Sequence, residues 1–219
     1  MAGQGDLELV GEASLELLRA GNERFLDAIE SAPDPAAAAA SLATADPYAI
    51  ILGCSDSRVP PEIVFDEYVG RLFVIRVASN VAGNEEIGTI EYALARWGCP
   101  IVVVLGHTQC GGISAAMSQL PPGADPPPDS AGSVHLTSLL ASIRSHLGWA
   151  SGLSADPWTD AVRMNVRRTI EQLASWSIPI RHRIDAGELA VVGAIYHVET
   201  GEVEFLDAPQ GARTDPRST

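Results

Sequence analysis

The chain has no lysine: all 14 of its basic residues are arginine. That excludes Schiff-base chemistry on a lysine amine, and also a phosphate-binding loop that depends on a lysine. Positive charge is scarce in general. With 14 basic against 28 acidic residues the formal net charge is −14. No basic stripe is available for a nucleic acid, and an anionic membrane surface would repel the chain. No apolar run reaches the roughly 18 residues that span a bilayer. The first ten residues hold neither a basic region nor an apolar stretch, so no secretory signal and a cytoplasmic location are expected. Cysteine is limited to three residues, an odd number that makes a poor disulfide framework. Metal binding or a reactive thiol in a reducing compartment fits better.

A hydrophobic content of 46% over 219 residues is ample for a core, and a single domain over 1–219 is expected. Residues 14–30 have helical spacing, with Ser14 as cap and Leu18, Gly21, Phe25 and Ile29 on one face. Asp34-Pro35 before five alanines predicts a second, short helix, so that 14–44 forms an N-terminal helical arm. Strands are predicted at Tyr48–Leu52, Leu72–Val77, Ile101–Leu105 and Leu189–Tyr196, and an antiparallel edge strand at Glu202–Leu206. Helices are predicted at Glu86–Trp97, from Gly112 to Leu120, and from Val134 past Arg163 to Trp176. Apolar strands alternating with helices imply an α/β fold: a central, mostly parallel sheet of about four strands plus the antiparallel edge, flanked by helices. The proline-rich stretch 121–133 reads as a surface loop and 208–219 as a disordered tail.

Chemistry is concentrated in two short segments, Cys54-Ser-Asp56-Ser-Arg58 and His107-Thr-Gln-Cys110. Cys54 follows the first predicted strand across Gly53, and His107 follows the third across Gly106. Both are therefore expected at carboxyl ends of strands, where open α/β sheets build their sites. Cys110 falls at the start of a helix, which favours the thiolate, and Gly111 and Gly112 leave backbone amides uncovered. Alone, a His-x-x-Cys is more often core packing than a metal site, and a lone Asp-x-Arg is usually a solvated ion pair. Together, two thiolates and one imidazole make a zinc site whose fourth position is kept for water or substrate. Such a site is formally neutral and acidifies water less than one with three imidazoles, for which the water pKa is ~7. Asp56 is placed to orient the water, and Arg58 to hold Asp56 ionised. If Arg58 let go, Asp56 would become a fourth ligand and close the site.

Cys-Ser-Asp-Ser-Arg-Val (54–59) and Gly-His-Thr-Gln-Cys-Gly-Gly (106–112) resemble the two signature segments of the β-class carbonic anhydrases. Leu17–Phe25, Phe73–Arg76 and Ile90–Ala93 resemble them too, so the likeness runs from about residue 15 to 206. The resemblance implies one zinc per chain on Cys54, His107 and Cys110, with Asp56 a ligand only in a closed state, and Asp56 and Arg58 as the catalytic dyad. It places Phe73, Ala78 and Tyr92 around a small apolar pocket for carbon dioxide, beside Gly111 and Gly112. It implies attack of zinc-bound hydroxide on carbon dioxide to give bicarbonate and a proton. It also implies a homodimer or multiple of dimers, with the N-terminal helix wrapping the partner. The chain departs from the family at Ala45, where many members carry a substrate-binding glutamine, at Val77 for a common asparagine, and at Ile51 for the tryptophan of an allosteric subclass, although Arg76 of that subclass is present. Ala45 leaves open hydrolysis of carbonyl sulfide or carbon disulfide. A non-catalytic zinc domain, closed by Asp56, is a further alternative.

Overall fold

The structure, a computed structural model, describes residues 4–118, 133–147 and 156–206. The expected loop at 121–133, apart from Ser133, and the expected tail at 208–219 lie outside the described residues. The chain divides into two compact units, Met1–Ala45 and Asp46–Thr219.

The first unit is helical, with α1 over Gln4–Glu30 and α2 over Pro35–Leu42. Ser14 is not a cap: α1 begins ten residues earlier than expected and runs through it. The physical reason is that 6–13 contains no proline or turn pair, so nothing stops the helix from extending toward the N-terminus. Asp34 caps α2 as expected, its carboxylate accepting from the Ala37 N–H at 3.0 Å, with Pro35 at the first helical position. Leu17, Leu18, Phe25 and Leu26 of α1 are all exposed.

The second unit is built on one five-stranded sheet of order β2-β1-β3-β4-β5. The strands are β1 Ala49–Gly53, β2 Leu72–Arg76, β3 Ile101–His107, β4 Ala190–Tyr196 and β5 Val203–Phe205. The first four are mutually parallel and β5 runs antiparallel to β4. The helices are α3 Pro61–Val64, α4 Asn84–Trp97, α5 Gly111–Ser118, α6 Val134–Leu147, α7 Pro157–Trp176 and α8 Ile178–Asp185. The single helical stretch expected from Val134 to Trp176 is thus α6 and α7; Asp156 caps α7, its carboxylate accepting from the Thr159 N–H at 3.1 Å. The short α3 and α8 carry too few residues to show a periodic pattern in the sequence.

Both faces of the sheet are buried, which is why its strands read as continuous apolar runs. Ile50, Leu52, Val102, Val104 and Ile195 point into the larger core, with α4, α6 and α7 residues. Ala49, Ile51, Val103 and Leu105 point the other way, against Val59 and Ala194. Each fully buried side chain of this size contributes about 1.5–3 kcal/mol. Helix α7 lies hard against β3 and β4: a Cβ on Gly106 would sit 2.7 Å from a Val166 methyl, and one on Gly193 would sit 2.8 Å from the other. That close approach fixes the strand end that carries His107.

Candidate metal centre

Cys54 leaves β1 immediately after Gly53, whose register partners are Arg76 on β2 and Leu105 on β3. His107 is the last residue of β3 itself, paired with Tyr196. It was expected in a turn beyond the strand, but β4 extends far enough to pair with both Gly106 and His107. The two residues therefore stand at the carboxyl ends of adjacent parallel strands. The chain then turns at Gln109, in the left-handed region at φ 56°. Cys110 stands at the start of α5, its carbonyl accepting from the Ser114 N–H at 3.0 Å.

These three residues converge. The two sulfurs and one ring nitrogen of His107 lie within 4.8 Å of one another, and all three side chains are buried. The ring is oriented by its other nitrogen, since Nδ1 stands 2.8 Å from the Thr108 carbonyl oxygen. A carbonyl only accepts, so Nδ1 carries the proton and Nε2 presents a lone pair. That buried Nε2 has no hydrogen-bond partner. An orphaned acceptor facing two sulfurs is what a metal ligand looks like without its metal. The donor set, soft thiolates with one imidazole, fits zinc.

The charges point the same way. Two thiolates cannot share this space without a cation, so the cysteine pair retains a proton. The hydrogen bond from Cys54 holds the Cys110 thiol well below its ordinary value, helped by His107, the Ile113 amide and Ser79. The same bond, with burial and the Cys110 charge, pushes Cys54 up. Burial opposes charge on His107, but the adjacent Cys110 outweighs it and raises its pKa. A divalent cation would displace these protons.

Asp56 and Arg58 form a two-pronged pair beside the cluster. Arg58 Nε donates to Asp56 Oδ1 at 3.0 Å and Nη2 donates to Oδ2 at 2.8 Å, while the Arg58 backbone N–H reaches Oδ1 at 2.9 Å. The side-chain bond from Arg58 is the main reason the Asp56 carboxyl lies far below the usual carboxylate range. Asp56 Oδ2 is also 3.9 Å from His107 Nε2, so the carboxylate reaches the edge of the ligand cluster while held by arginine.

Several contributors were not legible as site residues. Arg76 Nε donates to the Cys54 carbonyl at 3.0 Å, and Arg76 also reaches the Asp56 carbonyl. Gln109 accepts from Arg58 at 3.3 Å and donates to Glu199 at 2.6 Å, and Thr108 donates to Glu199 at 2.8 Å. Ser79 contacts both cysteines. Gln109 lies inside the His-Thr-Gln-Cys segment and was findable there; Glu199 and Ser79 are distant in sequence and carry no local signal. His197 Nε2 stands 3.3 Å from Glu204 Oε2.

Gly111 lines a cavity of about 400 Å³ that opens on Cys110, together with Gln109, Ile113, Trp158 and Glu199. Gly112 abuts Ser79, whose Oγ lies only 2.2 Å from where a Cβ would stand. Phe73 and Tyr92 come together, but in an aromatic cluster with Trp97, at centroid distances of 6.4 Å from each other and 5.2 and 5.8 Å from Trp97. Neither they nor Ala78 line the cavity at Cys110. Ala78 opens the 3₁₀ turn that contains Ser79. Cys99 is buried away from the cluster, its thiol donating to the Pro47 carbonyl at 3.1 Å.

Fold and site together define an α/β protein with a buried Cys-His-Cys group able to hold a metal at the carboxyl edge of a parallel sheet. Comparison with known proteins narrows this class. The model of the carbonic anhydrase family matches residues 49–203. A carbonic anhydrase of Mycolicibacterium smegmatis is 37% identical over 88% of this chain and 92% of its own length. Carbonic anhydrase 2 of Mycobacterium tuberculosis is 34% identical over 89% and 92%. Among solved structures, the β-carbonic anhydrase CafA of Aspergillus fumigatus superposes with a TM-score of 0.70 at 25% identity, covering 91% of this chain and 93% of that one. A β-carbonic anhydrase of Sordaria macrospora gives 0.69 at 21% identity, covering 90% and 97%, a likeness of fold. The chain belongs to the β-class carbonic anhydrases, a family of carbonate dehydratases.

Proposed function

We propose that this protein binds one zinc ion on Cys54, His107 and Cys110 and catalyses the reversible hydration of carbon dioxide to bicarbonate and a proton. The observation that carries the reading is the unpartnered Nε2 of His107, buried against two sulfurs, with the Asp56 carboxylate 3.9 Å away. Zinc, when bound, supplies the Lewis acid that makes water nucleophilic near neutral pH. Asp56 does the orienting. Held ionised by Arg58, it accepts a hydrogen bond from the attacking water and cannot itself be the base. Arg58 also keeps Asp56 from turning toward the ligands, because both carboxylate oxygens are engaged. That grip favours a catalytic centre over one closed by Asp56. Gly111 stands at the cavity mouth beside Cys110, where an uncovered amide is available to an anionic product.

Stopped-flow hydration with a pH indicator at about pH 8.5, where water on a neutral zinc site is ionised, tests the proposal directly. No rate above buffer from zinc-loaded protein would defeat it, and sulfide release from carbonyl sulfide or carbon disulfide would then identify the alternative substrate.

Three further parts of the reading accompany it. The exposed apolar residues of α1, Leu17, Leu18, Phe25 and Leu26, support an arm that covers a second copy, and so an even-numbered assembly, measurable by light scattering. Both units serve one functional domain. The three cysteines are free thiols, which suits a reducing cytoplasm; no helix among the described residues is long and apolar enough to cross a membrane.

A further inference from the structure

Behind the two cysteines lies a turn whose backbone is costly to hold. Ser79 at φ 58° and Asn80 at φ 46° both occupy the left-handed region, which disfavours most side chains other than glycine and asparagine. Both are completely or almost completely buried. The conformation serves the cysteines: the Ser79 N–H points at Cys54 Sγ, 3.3 Å away, and the Ser79 hydroxyl stands 3.5 Å from Cys110 Sγ. With both sulfurs thiolate, each interaction has the serine as donor, since a thiolate has no proton to give.

The turn is held from α7 by a chain of buried and partly buried polar groups. Asn165, 1% exposed, donates from Nδ2 to the Ser79 carbonyl at 2.7 Å. Gln172, two helical turns further on, donates from Nε2 to the Ala82 carbonyl at 2.7 Å. Carbonyls only accept, so both amide oxygens are turned inward. There His146 from α6 stands between them, with Nδ1 3.0 Å from Asn165 Oδ1 and Nε2 2.9 Å from Gln172 Oε1; a neutral ring has one N–H and donates to one of the two oxygens. On the other side Gly112 closes on Ser79 and leaves no room for a Cβ. The turn is thus clamped between α5 and α7.

We propose that Asn165 is a positioning residue for the metal centre. Acting through the Ser79 carbonyl, with His146 against its amide oxygen, it fixes the turn that donates to both cysteine sulfurs. Donors on a metal-bound thiolate draw charge from sulfur and so set how strongly the metal accepts electrons. The inference rests on the metal-site part of the proposed function and is independent of carbon dioxide as substrate.

Cobalt(II) replacing zinc gives a direct readout, the thiolate-to-cobalt charge-transfer band. Asn165→Leu is nearly isosteric and loses the donor. Its band is expected at longer wavelength than wild type, with metal affinity lowered roughly 10–100-fold. Ser79→Gly, which tolerates the same φ and removes only the hydroxyl donor, is expected to shift the band in the same direction and keeps the test decisive should Asn165→Leu not fold. Thr169→Val, equally buried on α7, loses only a 3.4 Å bond to the Asn80 carbonyl and is expected to leave the band in place. A wild-type band position in folded Asn165→Leu, a wild-type position in Ser79→Gly, or an equal shift in Thr169→Val would each overturn the proposal. A wild-type protein that takes up cobalt without any thiolate band would refute the metal centre itself.

Discussion

Replacing Asp56 by asparagine isolates what the carboxylate does, because the geometry dictates how the amide must sit. Asp56 Oδ1 accepts two bonds, from the Arg58 backbone N–H at 2.9 Å and from Arg58 Nε at 3.0 Å. Oδ2 accepts one, from Nη2 at 2.8 Å. The asparagine oxygen therefore takes the Oδ1 position and its NH₂ falls at Oδ2, the atom 3.9 Å from His107 Nε2. An acceptor facing the metal site becomes a donor, and the same NH₂ confronts the Arg58 guanidinium donor to donor. A water there loses the group that orients it, while the three ligands are untouched. Loss of the group that positions the nucleophile costs roughly 10²-fold in turnover. Stopped-flow hydration with zinc content measured on the same sample is the assay. Activity within a few-fold of wild type would refute the orienting role. Loss of zinc would show that Asp56 belongs to the ligand set instead.

Gly106→Ala should destabilise the chain by about 1–3 kcal/mol in urea unfolding, since the new Cβ would meet Val166 and Val162 at 2.7 and 2.9 Å. Arg163 pairs with Glu204 through both carboxylate oxygens, and its side-chain bond is the main reason the Glu204 pKa is lowered. A lowered folded pKa gives stability that is present above the ordinary carboxylate value and lost as pH falls through the depressed one. Glu204→Gln should therefore cost about 1 kcal/mol or less at pH 7, since both partners are about a third exposed, and the difference from wild type should vanish in strong acid. Removing the metal with a chelator should lower the melting temperature, and restoring zinc should raise it by mass action. Because ligation displaces protons from the cysteine pair and His107, zinc affinity should fall as the pH is lowered, as competition with a chromophoric chelator would show.

Much of the sheet was legible because buried parallel strands write themselves as unbroken apolar runs. Ile50-Ile-Leu52 and Val102-Val-Val104 can be little else once flanked by glycine and a polar turn. Strand ends were less certain: β3 reaches His107 only because β4 offers a partner at Tyr196, and a partner strand is not visible from within a segment. Helix starts failed for a related reason. Ser14 has the right chemistry for a cap, but a cap acts only where the backbone leaves the helix, and α1 continues past it. The aromatic residues Phe73 and Tyr92 share a cluster with Trp97, a placement set by packing across β2 and α4.

The candidate ligand set was legible in the sequence alone. Two thiols and an imidazole in glycine-flanked segments at strand ends carry their chemistry in residue type and spacing, and Asp56 binds Arg58 across two residues by local geometry. What only the tertiary structure decided is how those groups are held and charged. The free Nε2 of His107 depends on where the Thr108 carbonyl points. The donors to the two sulfurs come from Ser79, and the hold on Ser79 comes from Asn165, 86 residues further along the chain. Hydrogen bonds of that kind join segments whose proximity is created by sheet and helix packing, so no local pattern announces them.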